Sequence, residues 1–439
     1  MAAAEISRKA NTPRLNLQGL AVSSVDQAEA MVDEIMQRFD PDPLPIYKRL
    51  LAEAGPFVRG FAYSFGHGEL RTTIARGAPM PEANTLMALS YDAVKECLFD
   101  QVRFRGNYDD FGAMQRDGQT GLPMLEGLPH QRLRRLLAQG LNPRSIHVWE
   151  NRMIRPVVQN LLRNCSTGVS LEMARKFCRP LPGAAIGAVL GLTPEDLDAF
   201  NLLAFLSFTG PFTEEGKKAE LLLSEYFNEH IEQRRSVPDD ELAQRDDVIS
   251  LMVRARIGDD KLSNEEIVPN LFFFLFAGSD TTYLTLCNII YYLVEEPGLY
   301  EAVKNNRDLI KQLIEETLRL HPPGPIIARR AKVDTEVCGV SIKADTVIAI
   351  NLLMANHDPA AWERADDFKL DRSVGHPHLS FGFGPHMCPG MHLARLEMTV
   401  ALNEIFDRFN GMEWAPGISR PSFTGLSSRA VEHATIVLH

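Results

Sequence analysis

The stretch "FGFGPHMCPGMHLARLE", residues 381–397, holds a single cysteine among three glycines and two prolines. Glycine and proline at this density predict a tightly folded loop, and the apolar spacing after Gly390 predicts an amphipathic helix. In a random chain of this length and composition, the expected number of occurrences of the pattern F-x-x-G-x-x-x-C-x-G is only about 0.001. A packed thiol is the simplest interpretation of Cys388 alone, but its neighbours favour a chemical role.

The surroundings of Cys388 indicate a metal ligand. A helix that begins near Gly390 directs its backbone N–H groups at the sulfur, which favours the thiolate form that binds metals. Zinc bound with His386 and His392 is an alternative, although structural zinc usually takes four ligands in paired spacings, and no second pair occurs at a suitable interval. Iron held by one thiolate and the four nitrogens of haem is better supported.

The same stretch resembles the haem-binding signature of the cytochrome P450 family, including the L-A-R-x-E of the following helix. The resemblance implies that Cys388 is the axial ligand of haem b, that Phe381 shields the sulfur, and that Gly390 permits close approach to the porphyrin. Pro385 and Pro389 depart from the family pattern. Because proline donates no N–H, the hydrogen bonds that tune the thiolate must come from elsewhere in the loop.

A second motif is "AGSDTT", residues 277–282, within a stretch of mainly apolar residues that is predicted to be helical. Burial of polar groups costs free energy, so their presence in an apolar helix indicates a function. Gly278 lacks a side chain and could open a groove for O2 and water. The segment resembles the family's oxygen-activation motif. By that resemblance Asp280 and Thr281 are the catalytic acid–alcohol pair that delivers protons, and Ala277 lies against the haem.

A third motif is "EETLR", which places Glu316 and Arg319 one helical turn apart. Alone, E-x-x-R is a common surface ion pair and is unspecific. In this context it resembles the buried E-x-x-R of the family, whose third member would be Arg372. These three residues are expected to have a structural role beneath the haem loop.

The haem propionates require cations, and the resemblance supplies candidates. "HQRLRR" places His130 and Arg134 four residues apart on one helix face, similar to the H-x-x-x-R of the family. "ARRAKVD" is similar to R-x-A-x-x-D and selects Arg329 rather than Arg330. His386 in the loop is a further candidate. For each residue the alternative is a solvated surface charge.

Composition restricts the possible partners and location. The net charge is −11 and basic residues are not concentrated, which argues against a nucleic-acid partner. Six cysteines without a C-x-x-C pair suggest reduced thiols in a cytoplasmic enzyme. The segment Ile267–Val294 is long enough to span a membrane, but its polar centre favours a buried helix. We expect a soluble protein with no membrane anchor.

The predicted fold is the cytochrome P450 fold, mainly α with a small β portion. We expect one large haem-thiolate domain over residues 1–439, of which 1–40 form an N-terminal extension that can be flexible. No G-x-G-x-x-G motif is present, so no flavin- or dinucleotide-binding domain is expected. The resemblance implies electrons from NAD(P)H through a reductase and an iron–sulfur ferredoxin, for whose docking Arg132 and Arg135 are suited. We expect a monomer.

The expected activity is hydroxylation or epoxidation of a small to medium hydrophobic substrate with O2. The residues expected to line the substrate pocket are Phe111, Phe273, Ile326, Ile327 and Leu426. The C-terminal tail resembles the camphor-hydroxylase branch, which favours a terpenoid or other alicyclic substrate. Steroid, fatty-acid and alkyl-aromatic substrates remain alternatives, as does a haem-thiolate isomerase or sensor that does not oxygenate.

Overall fold

The structure is a computed structural model. It describes the whole chain apart from residues 1–14, 16, 18–19, 26, 29, 32–41, 61–83, 107–114, 117–118, 142, 193, 208–212, 373–374, 426–427 and 432. Phe111 and Leu426, which were predicted to line the pocket, lie outside the described residues, as does most of the predicted extension 1–40.

Helices form most of the described chain. They are α1 (Leu44–Ala54), α2 (Tyr91–Phe99), α3 (Gly127–Ala138), α4 (Pro143–Trp149), α5 (Arg155–Leu162), α6 (Pro180–Leu190), α7 (Leu197–Ser207), α8 (Glu214–Arg235), α9 (Asp239–Leu242), α10 (Val248–Arg254), α11 (Asn264–Glu295), α12 (Leu299–Asn305), α13 (Leu309–Leu320), α14 (Leu352–Ala355) and α15 (Met391–Arg408).

The strands are short. They are β1 (Phe57–Arg59), β2 (Thr85–Ala88), β3 (Phe104–Gly106), β4 (Gln115–Arg116), β5 (Gln119–Thr120), β6 (Ser170–Glu172), β7 (Arg256–Ile257), β8 (Asp260–Lys261), β9 (Ile326–Ala331), β10 (Thr335–Val337), β11 (Val340–Ile342), β12 (Val347–Asn351), β13 (Met412–Trp414), β14 (Phe423–Thr424), β15 (Ala430–Val431) and β16 (Thr435–Leu438).

The chain divides into two compact units. Unit A comprises Met1–Val32, Gly112–Ile154 and Gly183–Gly278. Unit B comprises Asp33–Phe111, Arg155–Pro182 and Ser279–His439. Helix α11 begins in unit A and ends in unit B, and its "AGSDTT" motif contains the boundary.

Unit A is mainly helical, and the start of α11 shows why its sequence forms a helix. The Glu266 carboxylate accepts the Ser263 backbone N–H at 3.0 Å, which is half of a capping box. Pro269 lies inside α11 without ending it. The buried Asn270 side chain donates to the Glu266 carbonyl at 2.6 Å and accepts the Leu122 N–H at 3.1 Å, so it anchors the turn that contains the proline.

Unit B contains a five-stranded sheet in the order β1-β2-β12-β9-β3, in which β2 and β12 are parallel and the other pairs are antiparallel. The buried residues of α2 pack against this sheet, and the cluster includes Val94, Leu98, Phe104 and Ile348. In the register of the sheet, Arg329 on β9 pairs with Ile348 on β12 and with Gly106 on β3. Arg329 is therefore held on a central strand.

Candidate active site

The loop that contains Cys388 is closed by its own backbone. The Cys388 N–H donates to the Phe381 carbonyl at 2.8 Å, and the Met387 N–H donates to the Gly384 carbonyl at 3.0 Å. Cys388 itself is half-buried. These hydrogen bonds fix the backbone on both sides of the thiol, as the density of glycine and proline predicted.

Two glycines of the loop have left-handed backbone conformations. Gly382 has φ +71° and Gly384 has φ +76°. A Cβ atom at Gly384 would lie 3.0 Å from the Phe99 Cα and 3.3 Å from the Leu98 carbonyl oxygen. Gly384 therefore lets the loop rest directly on the end of α2.

The two prolines each lie beside the start of a helical segment. Pro385 lies in the first positions of a 3₁₀ turn, Gly384–His386, where a missing donor costs nothing. Pro389 precedes Gly390, the N-cap of α15. A Cβ at Gly390 would lie 3.9 Å from the Cys388 Sγ, so the thiol lies beside the N-terminus of α15 as the sequence predicted. The positive end of that helix favours a thiolate.

Phe381 packs against the charged side chain of Arg395. The Arg395 guanidinium lies over the Phe381 ring, 4.4 Å from its centroid. Both oxygens of the Glu315 carboxylate accept from Arg395, at 2.7 and 2.8 Å, and one is 3.2 Å from the His378 Nε2. Burial pushes the pKa of Glu315 upward, but the hydrogen bonds from Arg395 and His378 outweigh burial and lower it to about 2. This ion pair ties α13 to α15 beside the loop.

Arg329 is a buried cation, with 4% of its surface exposed. Its guanidinium donates to the Ala328 carbonyl at 2.9 Å, and in the described ranges no carboxylate forms an ion pair with it. Burial, followed by the charge of Glu96, raises the pKa of Cys97 on α2, and Arg329 is among the charges that oppose this increase. Arg329 thus lies near α2, the helix on which the loop rests. The neighbouring Arg330 is paired with Asp345 at 3.0 Å.

Glu316, Arg319 and Arg372 form a buried network. The Glu316 carboxylate accepts two hydrogen bonds of 2.8 Å from Arg319 and two, of 3.0 and 3.2 Å, from Arg372. Arg319 also donates to the carbonyls of Asn356 and Ala365, at 2.8 and 2.7 Å. The network thus fixes the segment between β12 and the loop, as expected of a structural role.

The polar motif of α11 is largely buried. Asp280 has 9% of its surface exposed, and Thr281 is half-buried. The Ser428 hydroxyl, far away in sequence, donates to the Asp280 Oδ2 at 3.4 Å. The Thr285 hydroxyl donates to the Thr281 carbonyl one turn earlier, at 2.8 Å. The Asp280 carboxylate and the Thr281 carbonyl thus both accept hydrogen bonds from hydroxyl groups within unit B.

The first two residues of the motif, Ala277 and Gly278, belong to unit A. Ala277 is exposed, although the residues on either side of the pair Ala277–Gly278 are buried. A Cβ at Gly278 would lie 2.6 Å from the Ile186 Cδ1 on α6. The prediction that Gly278 opens a groove is therefore wrong on this side, because Ile186 fills that space; this glycine permits close helix packing instead.

Other predicted residues have the following environments. In unit A, His130 is buried and Arg134 is half-buried, four residues apart on α3, and Phe273 on α11 is half-buried. In unit B, Ile326 is buried and Ile327 half-buried on β9, and His386 lies in the 3₁₀ turn of the loop.

Arg132 does not fit its predicted role as a docking cation. Its guanidinium pairs with Asp260 at 2.6 Å and with Glu266 at 2.5 Å, so its charge is neutralised within unit A. Arg135 on the same helix is exposed. The sequence offered no signal for these pairs, because Asp260 and Glu266 are more than 120 residues away from Arg132.

The residues present fit a haem better than a zinc ion. Within the part of the chain that the structure describes, no three His, Cys, Asp or Glu side chains form a group that could hold a metal ion. By contrast, one half-buried thiol at a helix N-terminus would supply a soft donor to a haem iron, and the buried guanidinium of Arg329 would suit a carboxylate such as a haem propionate. A site of this type is a haem-thiolate site.

Known proteins are similar to this chain. Residues 185–421 match the family model described as Cytochrome P450. Cytochrome P450 109 of Bacillus spizizenii is 30% identical over 355 residues, which cover 77% of this chain and 86% of that protein. Mycinamicin IV hydroxylase/epoxidase of Micromonospora griseorubida is 30% identical over 371 residues, 82% of this chain and 91% of that protein. The crystal structure of CYP109E1 from Bacillus megaterium with testosterone has a TM-score of 0.77 at 26% identity, and covers 90% of this chain and 99% of that chain.

The chain belongs to the cytochrome P450 family. It has the P450 fold, and the predicted fold class is confirmed. The protein is a cytochrome P450 monooxygenase, and haem b is its cofactor. Among the described residues, no helix is both long and apolar enough to cross a membrane, α11 included.

Proposed function

We propose that Cys388 is the axial thiolate ligand of the haem and that the chain oxygenates a bulky alicyclic substrate. The observation that carries the proposal is the position of the Cys388 sulfur, beside the N-terminus of α15 in a loop closed by the hydrogen bond between Cys388 and Phe381. When bound, the haem iron supplies O2 activation. The overall reaction consumes substrate, O2, two electrons and two protons, and yields hydroxylated or epoxidised product and water.

The residues of the chain then have distinct tasks. Arg329 would neutralise a propionate, since it is a buried cation without a described carboxylate partner. His130, Arg134 and His386 are further propionate ligands by resemblance, and Ala277 and Gly390 allow the porphyrin to approach. Their assignment is supported by family membership and by the order of the motifs along the chain.

Asp280 and Thr281 would move protons. A buried carboxylate next to a hydroxyl can hold and relay a proton through ordered water, which is the acid–alcohol function that the motif implies. The burial of Asp280 supports this role, because a carboxylate with 9% exposure has little exchange with bulk solvent. Thr281→Ala is expected to retain haem and substrate while diverting electrons to peroxide.

The proposed substrate class is alicyclic and polycyclic. CYP109E1 from Bacillus megaterium was crystallised with testosterone and with corticosterone, and the Micromonospora griseorubida relative is named for mycinamicin IV. Ile326, Ile327 and Phe273 would present apolar surface to such a molecule. A terpenoid, the substrate that the sequence favours, belongs to the same class.

Electrons are proposed to arrive through an iron–sulfur ferredoxin in the cytoplasm. All six cysteines lie in the described residues and none forms a disulfide, which is consistent with a reducing compartment. Next to the loop, the Lys95 ammonium lies 5.2 Å from the centre of the Phe383 ring, and Phe99 is 60% exposed. A cation beside apolar surface suits contact with an acidic protein. Reduction by a ferredoxin should therefore slow as ionic strength rises.

The test of axial ligation is Cys388→Ser, with Cys338→Ser as the matched control because Cys338 is an exposed cysteine on another loop. Only the first substitution should abolish the thiolate Soret band of the reduced, CO-bound protein and the oxygenation activity. A thiolate band in Cys388→Ser would assign the ligand elsewhere.

The substrate class is tested by the spin-state shift of the ferric enzyme with steroids, terpenes, macrolides and fatty acids. Compounds that shift the iron are then turned over under ¹⁸O₂. One labelled oxygen atom in the product supports the monooxygenase reaction, whereas an unlabelled rearranged product would indicate the isomerase alternative. Shifts by fatty acids alone would overturn the alicyclic substrate class.

A further inference from the structure

The C-terminal hairpin of unit B reaches the polar motif of α11. Its strands β14 and β15 pair with Phe423 opposite Val431 and Thr424 opposite Ala430. Ser428 lies between the two strands and is 3% exposed, and its hydroxyl donates to the Asp280 Oδ2. Both partners are buried, so the hydroxyl and the carboxylate oxygen are largely shielded from competing water.

The residues that flank Ser428 are fixed by several anchors. The Asn288 side chain, two helical turns after Asp280, accepts the Val431 N–H at 3.1 Å and donates to the Arg429 carbonyl at 3.3 Å. The Arg429 N–H donates to the Pro323 carbonyl at 3.0 Å. The Arg429 guanidinium, 1% exposed, forms a two-point ion pair with Asp42. The backbone on the C-terminal side of Ser428 is thereby held against α11.

Gly425, on the N-terminal side of Ser428, also lies close to its backbone. Gly425 has φ +100°, and a Cβ there would lie only 1.8 Å from the Ser428 carbonyl oxygen. Only glycine allows that approach, because backbone atoms cannot move aside as a side chain can. Position 425 therefore requires glycine, and the anchors of Arg429 and Val431 hold the backbone that follows Ser428, whose hydroxyl donates to Asp280.

We propose that Ser428 is a positioning residue that orients the Asp280 carboxylate, which makes the C-terminal hairpin part of the proton-delivery apparatus. The proposal rests on the function proposed above for Asp280. A carboxylate on a helix can rotate about its side-chain bonds, and a fixed hydroxyl donor favours the rotamer in which Oδ2 faces the hairpin. Loss of that donor removes its contribution to the productive orientation of the carboxylate.

The test is a double-substitution cycle in the holoenzyme with Ser428→Ala and Asp280→Asn. The O···O distance of 3.4 Å is longer than the usual O–H···O distance, so we expect Ser428→Ala to lower the product formed per NAD(P)H by about two- to tenfold. In the Asp280→Asn background the same substitution should change this ratio no further. A hairpin that merely shapes the pocket would instead give independent, multiplying effects, and that result would overturn the proposal.

A second readout needs no turnover. Infrared difference spectra of the resting enzyme should show a shifted carboxylate stretching band in Ser428→Ala relative to wild type, and this difference should vanish in the Asp280→Asn background. Thr424→Val, which removes a hydroxyl from the opposite strand of the same hairpin, should leave the band and the coupling unchanged. An unmoved band in Ser428→Ala would overturn the proposal, whatever the turnover shows.

The double-substitution cycle distinguishes failure of the positioning role of Ser428 from failure of the proton-relay role of Asp280. If Asp280→Asn reduces coupling while Ser428→Ala has no effect, the relay stands and the positioning role falls. If Asp280→Asn retains full coupling, the relay role of Asp280 is wrong, and the positioning role falls with it.

Discussion

Replacement of Gly384 by alanine tests whether the thiol loop is held in place by its contact with α2. Alanine in the left-handed conformation costs about 1–2 kcal/mol. At Gly384 the new Cβ would also lie 3.0 Å from the Phe99 Cα and 3.3 Å from the Leu98 carbonyl oxygen, both backbone atoms that cannot rotate away. Overpacking of this kind costs about 1–3 kcal/mol, so Gly384→Ala should destabilise the holoenzyme by about 2–5 kcal/mol in total.

Gly382→Ala is the matched control, because Gly382 has nearly the same φ, +71° against +76°. The nearest non-adjacent atoms to a Cβ at Gly382 are 3.9 Å away, so only the conformational cost of about 1–2 kcal/mol applies. The difference between the two variants therefore isolates the contact with α2.

The measurement is urea unfolding of both variants, followed by circular dichroism and by Soret absorbance. Gly384→Ala should lower the midpoint more than Gly382→Ala and should release haem at lower urea, since the loop that carries Cys388 must move off α2. Equal midpoints for the two variants would refute the reasoning, because they would show that α2 does not support the loop.

Three further predictions concern charged and titratable side chains. Glu316→Ala leaves the Arg319 guanidinium, 1% exposed, without its carboxylate, and should destabilise the fold by about 3–5 kcal/mol in thermal denaturation; a change below 1 kcal/mol would contradict a buried network. The Glu315 carboxylate, whose pKa burial raises but Arg395 and a neighbouring histidine lower to about 2, contributes stability above pH 4.5 that is lost as the pH falls from 4.5 toward 2. Glu315→Gln should therefore lack that part of the acid destabilisation, measured as unfolding midpoint against pH. Burial, together with the charge of a nearby arginine, lowers the pKa of His230 to about 3. Below pH 6.5 the unfolded chain thus binds a proton at His230 that the folded chain does not bind, so the free energy of unfolding falls between pH 6.5 and 3. His230→Gln should reduce the pH dependence of the unfolding midpoint in this range.

Local spacing predicted the thiol loop and the proximity of Glu316 to Arg319, whereas the burial of that pair was predicted by the family resemblance. Phe381, Gly384, Cys388 and Gly390 lie within ten residues, so the conformation that glycine and proline impose already brings them together. The same holds for Glu316 and Arg319, which are one helical turn apart and do form a buried pair. Such patterns carry their geometry in the sequence, because the backbone between the residues is short.

Tertiary partners could not be predicted in this way. The space beside Gly278 is decided by Ile186, which lies more than 90 residues earlier, and the charge of Arg132 is neutralised by residues of the β7–β8 hairpin and α11. No periodicity in α3 or α11 encodes those neighbours. A glycine in a helix is equally compatible with a groove and with close packing until the facing residue is known.

The hydroxyl group proposed to orient Asp280 is another tertiary partner that the sequence does not predict. Asp280 is found from a six-residue motif, whereas Ser428 is 148 residues away, and the residues that follow it are anchored by Asn288 and by the ion pair of Arg429. A motif that carries an acid and an alcohol therefore states which groups can move protons, but the orientation of the acid depends on a hairpin that the motif does not contain. Two members of the family with identical "AGSDTT" segments can then differ in coupling through the C-terminal hairpin alone, which is the segment to exchange between them when coupling is the property to be changed.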